Sequence, residues 1–92
     1  MNAHIRRRVI VRGQVQNVMF RATCARLARE RNVNGAVRNL EDHRSVEMVF
    51  EGDHHDVTAL VEWARHGPPE AEVGFIEVND EPPQGDVGFR VD

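Results

Sequence analysis

The stretch RRRVIVRGQVQNVMFRATCARLARE, residues 6–30, decides the fold because it changes from a strand pattern to a helix pattern across one short loop. Residues 6–13 place β-branched side chains among arginines, which is typical of a central strand whose ends reach solvent. After the loop, apolar side chains recur at helical spacing: Phe20, Cys24, Leu27 and Ala28. Asn and Gly at residues 32–35 supply a stop signal, so the sequence predicts an amphipathic helix that ends there.

Four further strands are predicted from the rest of the chain. Residues 36–40 are predicted as a second strand. In the predicted third strand, Val46, Met48 and Phe50 alternate with Glu47, Val49 and Glu51. The polar residues 41–45 between them predict a hairpin turn. A fourth strand is predicted at residues 72–79, and alternating apolar residues predict a short C-terminal strand at 87–91.

A second helix separates the third and fourth strands. Asp53 is a favourable N-cap, and the apolar residues that follow it repeat at i, i+3, i+4 and i+7: Val57, Leu60, Val61 and Ala64. The element order is therefore β-α-β-β-α-β with a short extra strand, which predicts a ferredoxin-like α/β sandwich over one domain, residues 1–92. In that fold both helices cover one face of a mostly antiparallel sheet. The first two strands run parallel with the third between them, so their carboxyl ends meet at one edge.

Composition excludes several classes of protein. The chain is 40 % hydrophobic and 29 % charged, has no apolar run of ~20 residues, and does not open with a secretory signal, which predicts a cytoplasmic protein. Its single cysteine, Cys24, cannot form an intramolecular disulfide and is expected to be buried as a small apolar side chain. The histidines His54, His55 and His66 fall at opposite ends of the second helix, so no metal or other cofactor is expected.

Charge is divided unevenly along the chain, whose net charge is −3. Through Arg44 there are ten arginines and three acids, whereas from Ser45 onward there are two arginines and twelve acids. A basic arm beside an acidic tail is one source of such a division. Because the arginines lie in periodic segments that contain apolar residues, we favour interleaving of the two halves in one sheet.

The loop GQVQNVMFR, residues 13–21, has the features of an anion site. A loop between a strand and a helix start can direct several backbone N–H groups inward, at the positive end of the helix dipole. Arg21 lies in the first helical turn, where a cation is unfavourable by about 0.3–1 kcal/mol, and Glu30 is the first acid that follows it. Either Arg21 points into water, or it is kept for an external anion such as a phosphoryl group, which a guanidinium binds bidentately.

The same loop resembles the first signature of the acylphosphatase family, Gly-x-Val-Gln-Gly-Val-x-Phe-Arg. The segments GAVRNL and SVEMVFEGD resemble its second signature, and the similarity continues through Gly67-Pro68-Pro69 to Gly88-Phe89-Arg90-Val91. The resemblance implies hydrolysis of the carboxyl–phosphate bond of acyl phosphates without a metal. It implies that Arg21 binds the phosphate and Asn39 positions the attacking water. It also implies a phosphate cradle formed by the backbone of residues Val15, Gln16, Asn17, Val18, Met19 and Phe20.

Three positions depart from the family pattern. Asn17 replaces the cradle glycine, Ala36 replaces an aromatic residue, and Asp42-His43-Arg44 replaces a shorter Asp-Gly turn. Asn is the residue after glycine that best tolerates positive φ, although its side chain is expected to approach a ligand. The hairpin turn is expected to differ from the family's.

Other functions remain as alternatives. A non-catalytic domain that binds carbamoyl phosphate, as in hydrogenase-maturation carbamoyltransferases, is disfavoured because nothing follows Asp92 in this chain. RNA binding on the open sheet face is disfavoured because the chain has no tyrosine and only 5 % aromatic residues. A purely structural protein would not need Arg21 or Asn39. We expect a monomer that acts on a small acyl phosphate, with no nucleic-acid or membrane partner.

Overall fold

The computed structural model describes residues 3–92 and contains five strands and two helices. Their bounds are β1 His4–Gln14, α1 Phe20–Glu30, β2 Asn34–Asn39, β3 Ser45–Asp53, α2 His54–Ala64, β4 Glu72–Glu81 and β5 Phe89–Val91. The strands form one sheet in the order β4-β1-β3-β2-β5. β1, β3, β2 and β4 pair antiparallel, while β5 pairs parallel with β2. The predicted ferredoxin-like fold is confirmed, with β1 and β2 parallel on either side of β3.

Both helices pack on one face of the sheet. α2 buries its predicted apolar stripe, Val57, Leu60, Val61 and Ala64. α1 buries Phe20, Cys24 and Ala28 as predicted, but Ala25 is buried as well and the predicted Leu27 is only partly buried. The sheet contributes alternate residues of β1 and β3, including Val9, Val11, Met48 and Phe50. The Phe20 ring also contacts the Trp63 ring, with a centroid separation of 5.0 Å. The core therefore ties the start of α1, beside the predicted loop, to α2.

The helix boundaries follow from local chemistry. The Asp53 carboxylate accepts a hydrogen bond from the His55 N–H at 2.9 Å, which confirms the predicted N-cap of α2. α1 has no side-chain cap, and its N-cap residue Met19 has φ 64°. The two helices thus differ as the sequence indicates: only α1 leaves its N-terminal donors for another partner.

The basic and acidic parts of the chain interleave in the sheet. β1 lies between β3 and β4, so Arg6 is in register with Glu51 on one side and Glu81 on the other. Its guanidinium donates to both carboxylates, at 3.0 and 2.9 Å, and to Asp86 at 2.8 Å. The asymmetry along the sequence therefore becomes ion pairing across strands, as we favoured.

The C-terminal strand is shorter than its sequence pattern. β5 begins at Phe89, and Val87 lies outside it with its side chain 91 % exposed. Gly88 has φ 78°, and its N–H donates to the Asn34 side chain at 2.9 Å. This turn brings the chain onto β2 only after Val87, which the alternation of apolar residues could not show.

Candidate active site

The loop between β1 and α1 presents an uninterrupted series of unpaired donors. Within residues 3–92, no backbone N–H group of residues 15–22 donates a hydrogen bond. Asn17 and Met19 both have left-handed backbones, with φ 62° and 64°. No acid occupies the first turn of α1. Unpaired amides at the positive end of a helix suit an anion. We call residues 15–20 the cradle loop.

Gln16 anchors the cradle loop to the hairpin between β2 and β3. Its side-chain Nε2 donates to the carbonyl oxygens of Leu40 and Ser45, at 3.0 and 2.9 Å. These carbonyls lie at the two ends of the hairpin. The loop is therefore held against the carboxyl end of β2, where Asn39 is the last residue. The resemblance assigned only the backbone of Gln16 to the site. The local pattern gave no signal that its side chain would bind the hairpin.

Arg21 lies in the first turn of α1 and is only partly exposed. Its Nη1 donates to the main-chain oxygen of Asp92 at 3.0 Å. Nine of the twelve arginines lie within 4.0 Å of an Asp or Glu side-chain carboxylate, but Arg21 is not among them. Its orientation thus comes from a main-chain oxygen of the last residue, and no Asp or Glu side chain among residues 3–92 pairs with its charge. Asp92 was not foreseen as the partner of Arg21.

Asn39 faces the same space as Arg21. Both line a cavity of about 330 Å³, together with Val15, Asn17, Met19, Phe20 and Ala22. The Asn39 Oδ1 atom is buried and has no hydrogen-bond partner within the described part of the chain. A buried amide oxygen without a partner is costly unless a ligand or water donates to it. We call this space the phosphate cavity.

The cradle loop separates the phosphate cavity from a larger one. Gln16 and Val18, two of the predicted cradle residues, line this second cavity of about 680 Å³, and Val15 lines both. The hairpin residues His43 and Arg44 line it as well. The structure therefore brings Arg21, Asn39 and four of the cradle residues around one cavity, and it places the remaining two on the other side of the loop.

The departures from the family pattern have local structural consequences. Asn17 takes the left-handed backbone that glycine favours, and its side chain lines the phosphate cavity. His43 takes a second left-handed position, φ 63°, and so closes the glycine-free hairpin turn. Ala36 is in register with Val49 on the sheet face opposite the helices. Its small side chain lines a cavity on that face, remote from the cradle loop.

The remaining reactive side chains lie apart from this site. Cys24 is fully buried in α1, and burial raises the pKa of its thiol. Among residues 3–92, no three His, Cys, Asp or Glu side chains are grouped to hold a metal ion. None of the described helices is long and apolar enough to span a membrane.

Comparison with known proteins places this geometry in a family. The model of the acylphosphatase family matches residues 7–91. An acylphosphatase of Haloarcula marismortui is 49 % identical over 89 residues, which is 97 % of each chain. The solved structure of an acylphosphatase from Coxiella burnetii superposes with a TM-score of 0.91 at 34 % identity, covering 99 % of this chain and 94 % of that one. The structure of Thermococcus kodakarensis HypF matches the whole chain with 12 % of its own length, at 38 % identity and a TM-score of 0.77.

Proposed function

The chain belongs to the acylphosphatase family and hydrolyses acyl phosphates, and we propose that Arg21, Asn39 and the cradle loop carry that reaction. The observation that supports this assignment best is the buried, unpartnered Asn39 Oδ1 in the cavity that Arg21 also lines. The Asn39 Oδ1 atom can accept a hydrogen bond from an attacking water, and the Arg21 guanidinium supplies positive charge for a phosphoryl group.

The phosphoryl group binds at the cradle loop. Its oxygens accept hydrogen bonds from the free amides of the loop and from Arg21, which is not paired with an Asp or Glu side chain in the described part of the chain. Phosphoryl transfer depends mostly on positioning and on stabilising charge that develops in the transition state. Donors fixed before the substrate arrives need no reorganisation during the reaction. In this proposal Arg21 and the amides supply that stabilisation without a metal.

Asn39 orients the water. The water donates one hydrogen bond to Oδ1 and directs a lone pair at phosphorus, on the side opposite the departing carboxylate. The new P–O bond forms as the bond to the carboxylate breaks. The leaving group has a conjugate acid of pKa near ~4, so it departs as an anion and needs no protein acid. Since an amide is not a base, the proton of the water passes to a phosphoryl oxygen or to solvent.

A second candidate, kept from the sequence analysis, is a domain that binds an acyl phosphate such as carbamoyl phosphate without cleaving it. The match to 12 % of the HypF chain shows that this fold also occurs as part of a longer protein. Both candidates require phosphate binding at the cradle loop and Arg21. They differ in whether Asn39 promotes turnover, so kinetics and binding must be measured on the same variants.

The test follows benzoyl phosphate hydrolysis in the presence of EDTA, with Arg21→Ala and Asn39→Ala. The matched controls are Arg26→Ala, on the outer surface of α1, and Asn79→Ala, in β4. We expect each site variant to lose at least 100-fold in kcat/KM, the usual loss when one preorganised donor is removed. Arg21→Ala should also weaken inhibition by inorganic phosphate, whereas Asn39→Ala should mainly lower kcat.

Each alternative gives a different pattern. Hydrolysis no faster than in the variants, with phosphate still bound through Arg21, would favour the binding domain. Full activity in both site variants would contradict the assignment of these residues. We also propose that the chain is a single domain, monomeric and cytoplasmic. Sedimentation of the purified protein at its chain mass of 10.5 kDa would support the monomer.

A further inference from the structure

The phosphate cavity has a buried side and an exposed side. The Asn39 Oδ1 atom is buried, whereas three residues that line the same cavity are exposed to solvent: Asn17, Met19 and Ala22. Met19 is 67 % exposed. We call these three residues the mouth of the phosphate cavity. The mechanism above uses the buried side and gives the side chains of the mouth no role.

The direction of attack brings the acyl group of the substrate to the mouth. A water that donates to the buried Asn39 Oδ1 approaches phosphorus from the inner side of the cavity. In-line displacement places the leaving group on the opposite side of phosphorus. That side is the mouth, because the lining residues Val15 and Phe20 are buried. The acyl group therefore extends toward solvent past the mouth residues.

Asn17 brings a free hydrogen-bond donor to the mouth. Its side-chain amide makes no hydrogen bond within residues 3–92, whereas those of Asn34 and Asn79 do. Its backbone has φ 62°, a conformation that glycine adopts without strain and that other residues adopt at a cost. The position therefore carries a polar side chain where glycine, the residue of the family pattern, would fit the backbone at least as well.

The donors of the site are divided among the polar atoms of the substrate. The phosphoryl oxygens accept from Arg21 and from the unpaired N–H groups of residues 15–22, and Asn39 holds the water. This division leaves the carbonyl oxygen of the acyl group without a donor. Among the described residues that line the cavity, Asn17 is the remaining one whose side chain can donate.

We propose that the Asn17 side-chain amide donates a hydrogen bond to the carbonyl oxygen of the bound acyl phosphate. This inference rests on the proposed function, because Asn39 sets the direction of attack. When the bond between phosphorus and the bridging oxygen breaks, its electron pair stays with the leaving carboxylate, whose charge spreads over both oxygens. A donor on the carbonyl oxygen stabilises that charge, so this hydrogen bond is stronger in the transition state than in the bound substrate.

The test compares two phosphonates that cannot be hydrolysed. In phenacylphosphonate a methylene group replaces the bridging oxygen of benzoyl phosphate and the carbonyl is kept, whereas in phenethylphosphonate a second methylene group replaces the carbonyl. Titration calorimetry gives the Kd of each, at a pH where both are dianions. In the Asn17→Gly variant the ratio of the two Kd values should shift about fivefold against the phosphonate that has the carbonyl, the net contribution of one hydrogen bond.

Two further variants separate this hydrogen bond from other effects of the substitution. Asn17→Asp keeps the volume of the side chain but cannot donate, so the ratio should shift in the same direction. Asn32→Gly is the matched control and should leave the ratio unchanged, because Asn32 is an exposed asparagine with φ 56° just beyond the carboxyl end of α1.

Kinetics of Asn17→Gly supply a second readout. The variant should lose about tenfold in kcat/KM for benzoyl phosphate, because the lost hydrogen bond is made to an oxygen that gains charge in the transition state. Inhibition by inorganic phosphate should stay at the wild-type level, since inorganic phosphate has no acyl carbonyl.

The outcomes separate this inference from the proposed function. An equal ratio of Kd values in the wild type and Asn17→Gly would overturn the contact with the carbonyl. An equal ratio together with weaker inhibition by inorganic phosphate would overturn it as well, because the amide would then bind a phosphoryl oxygen. In both cases wild-type hydrolysis through Arg21 and Asn39 leaves the proposed function standing. If the wild type neither hydrolyses benzoyl phosphate nor binds either phosphonate, the proposed function fails, and this inference with it.

Discussion

Replacement of Glu51 should remove much of the protein's sensitivity to acid. This carboxylate is completely buried in β3, yet it accepts four hydrogen bonds. The donors are Arg6 at 3.0 Å, His4 at 3.1 Å, and the N–H groups of Gln84 and Gly85 at 2.9 and 2.8 Å. Burial by itself would raise the pKa of Glu51, but these donors outweigh it and lower the pKa from 4.5 to about 2.

The pH dependence of stability follows from the difference between the folded and unfolded pKa values of Glu51. Between pH 4.5 and 2 the unfolded chain binds a proton at Glu51 that the folded chain does not, so folding becomes less favourable as pH falls. The difference between the two pKa values corresponds to about 3 kcal/mol of stability, present above pH 4.5 and lost by about pH 2. In Glu51→Gln this contribution is absent at every pH.

Urea unfolding from pH 7 to pH 2.5 measures the difference directly. The variant should be less stable than the wild type at pH 7, and the gap should narrow by about 3 kcal/mol toward pH 2. If the variant is partly unfolded at pH 7, both proteins are measured in the same concentration of sucrose, which does not titrate between pH 7 and pH 2.5. The exposed Glu70→Gln should follow the wild-type curve. Parallel curves for Glu51→Gln and the wild type would refute the reasoning, because no proton uptake would then be linked to this carboxylate.

Two further predictions concern the cradle loop and are both read by urea unfolding at pH 7. Asn17 has φ 62°, a left-handed backbone that glycine adopts without strain. The Asn17→Gly variant should therefore be at least as stable as the wild type, and Asn17→Ala should be less stable than the wild type by about 1 kcal/mol. Equal stability of the two variants would contradict the strain at this position. Gln16→Glu keeps the shape of the side chain but replaces the donor that faces the carbonyls of Leu40 and Ser45 with an acceptor. The free energy of unfolding should fall by about 2 kcal/mol, and inhibition by phosphate should weaken. A variant as stable as the wild type would show that these two hydrogen bonds contribute nothing.

The elements of the fold could be predicted from local sequence patterns. Alternation of side chains in β3 and the apolar stripe of α2 identify both elements, and Asp53 marks the start of the helix. The chain order then implies that β3 lies between β1 and β2. The parallel pairing of β5 with β2 could not be predicted, because three residues carry too little pattern and the turn at Gly88 depends on the Asn34 side chain.

The local features of the candidate site could be predicted from the sequence, but the contacts between distant residues could not. The unpaired donors of the cradle loop and the lack of an acid in the first turn of α1 follow from sequence, and the resemblance points to Arg21 and Asn39. Contacts between distant residues do not follow from it. Arg6 and Glu51 are 45 residues apart, and Arg21 and Asp92 are 71 apart. Such pairs depend on strand register and on the path of the C-terminal segment, which the local pattern does not specify.

The central claim is that a single water, oriented by Asn39, attacks phosphorus held by Arg21 and the cradle loop. Hydrolysis of benzoyl phosphate in ¹⁸O-enriched water, with mass analysis of both products, tests this most directly. The account predicts one ¹⁸O atom in each enzymatically formed phosphate and none in benzoate, once the uncatalysed reaction is subtracted. Label in benzoate would contradict it, since the water would then have attacked the carbonyl carbon.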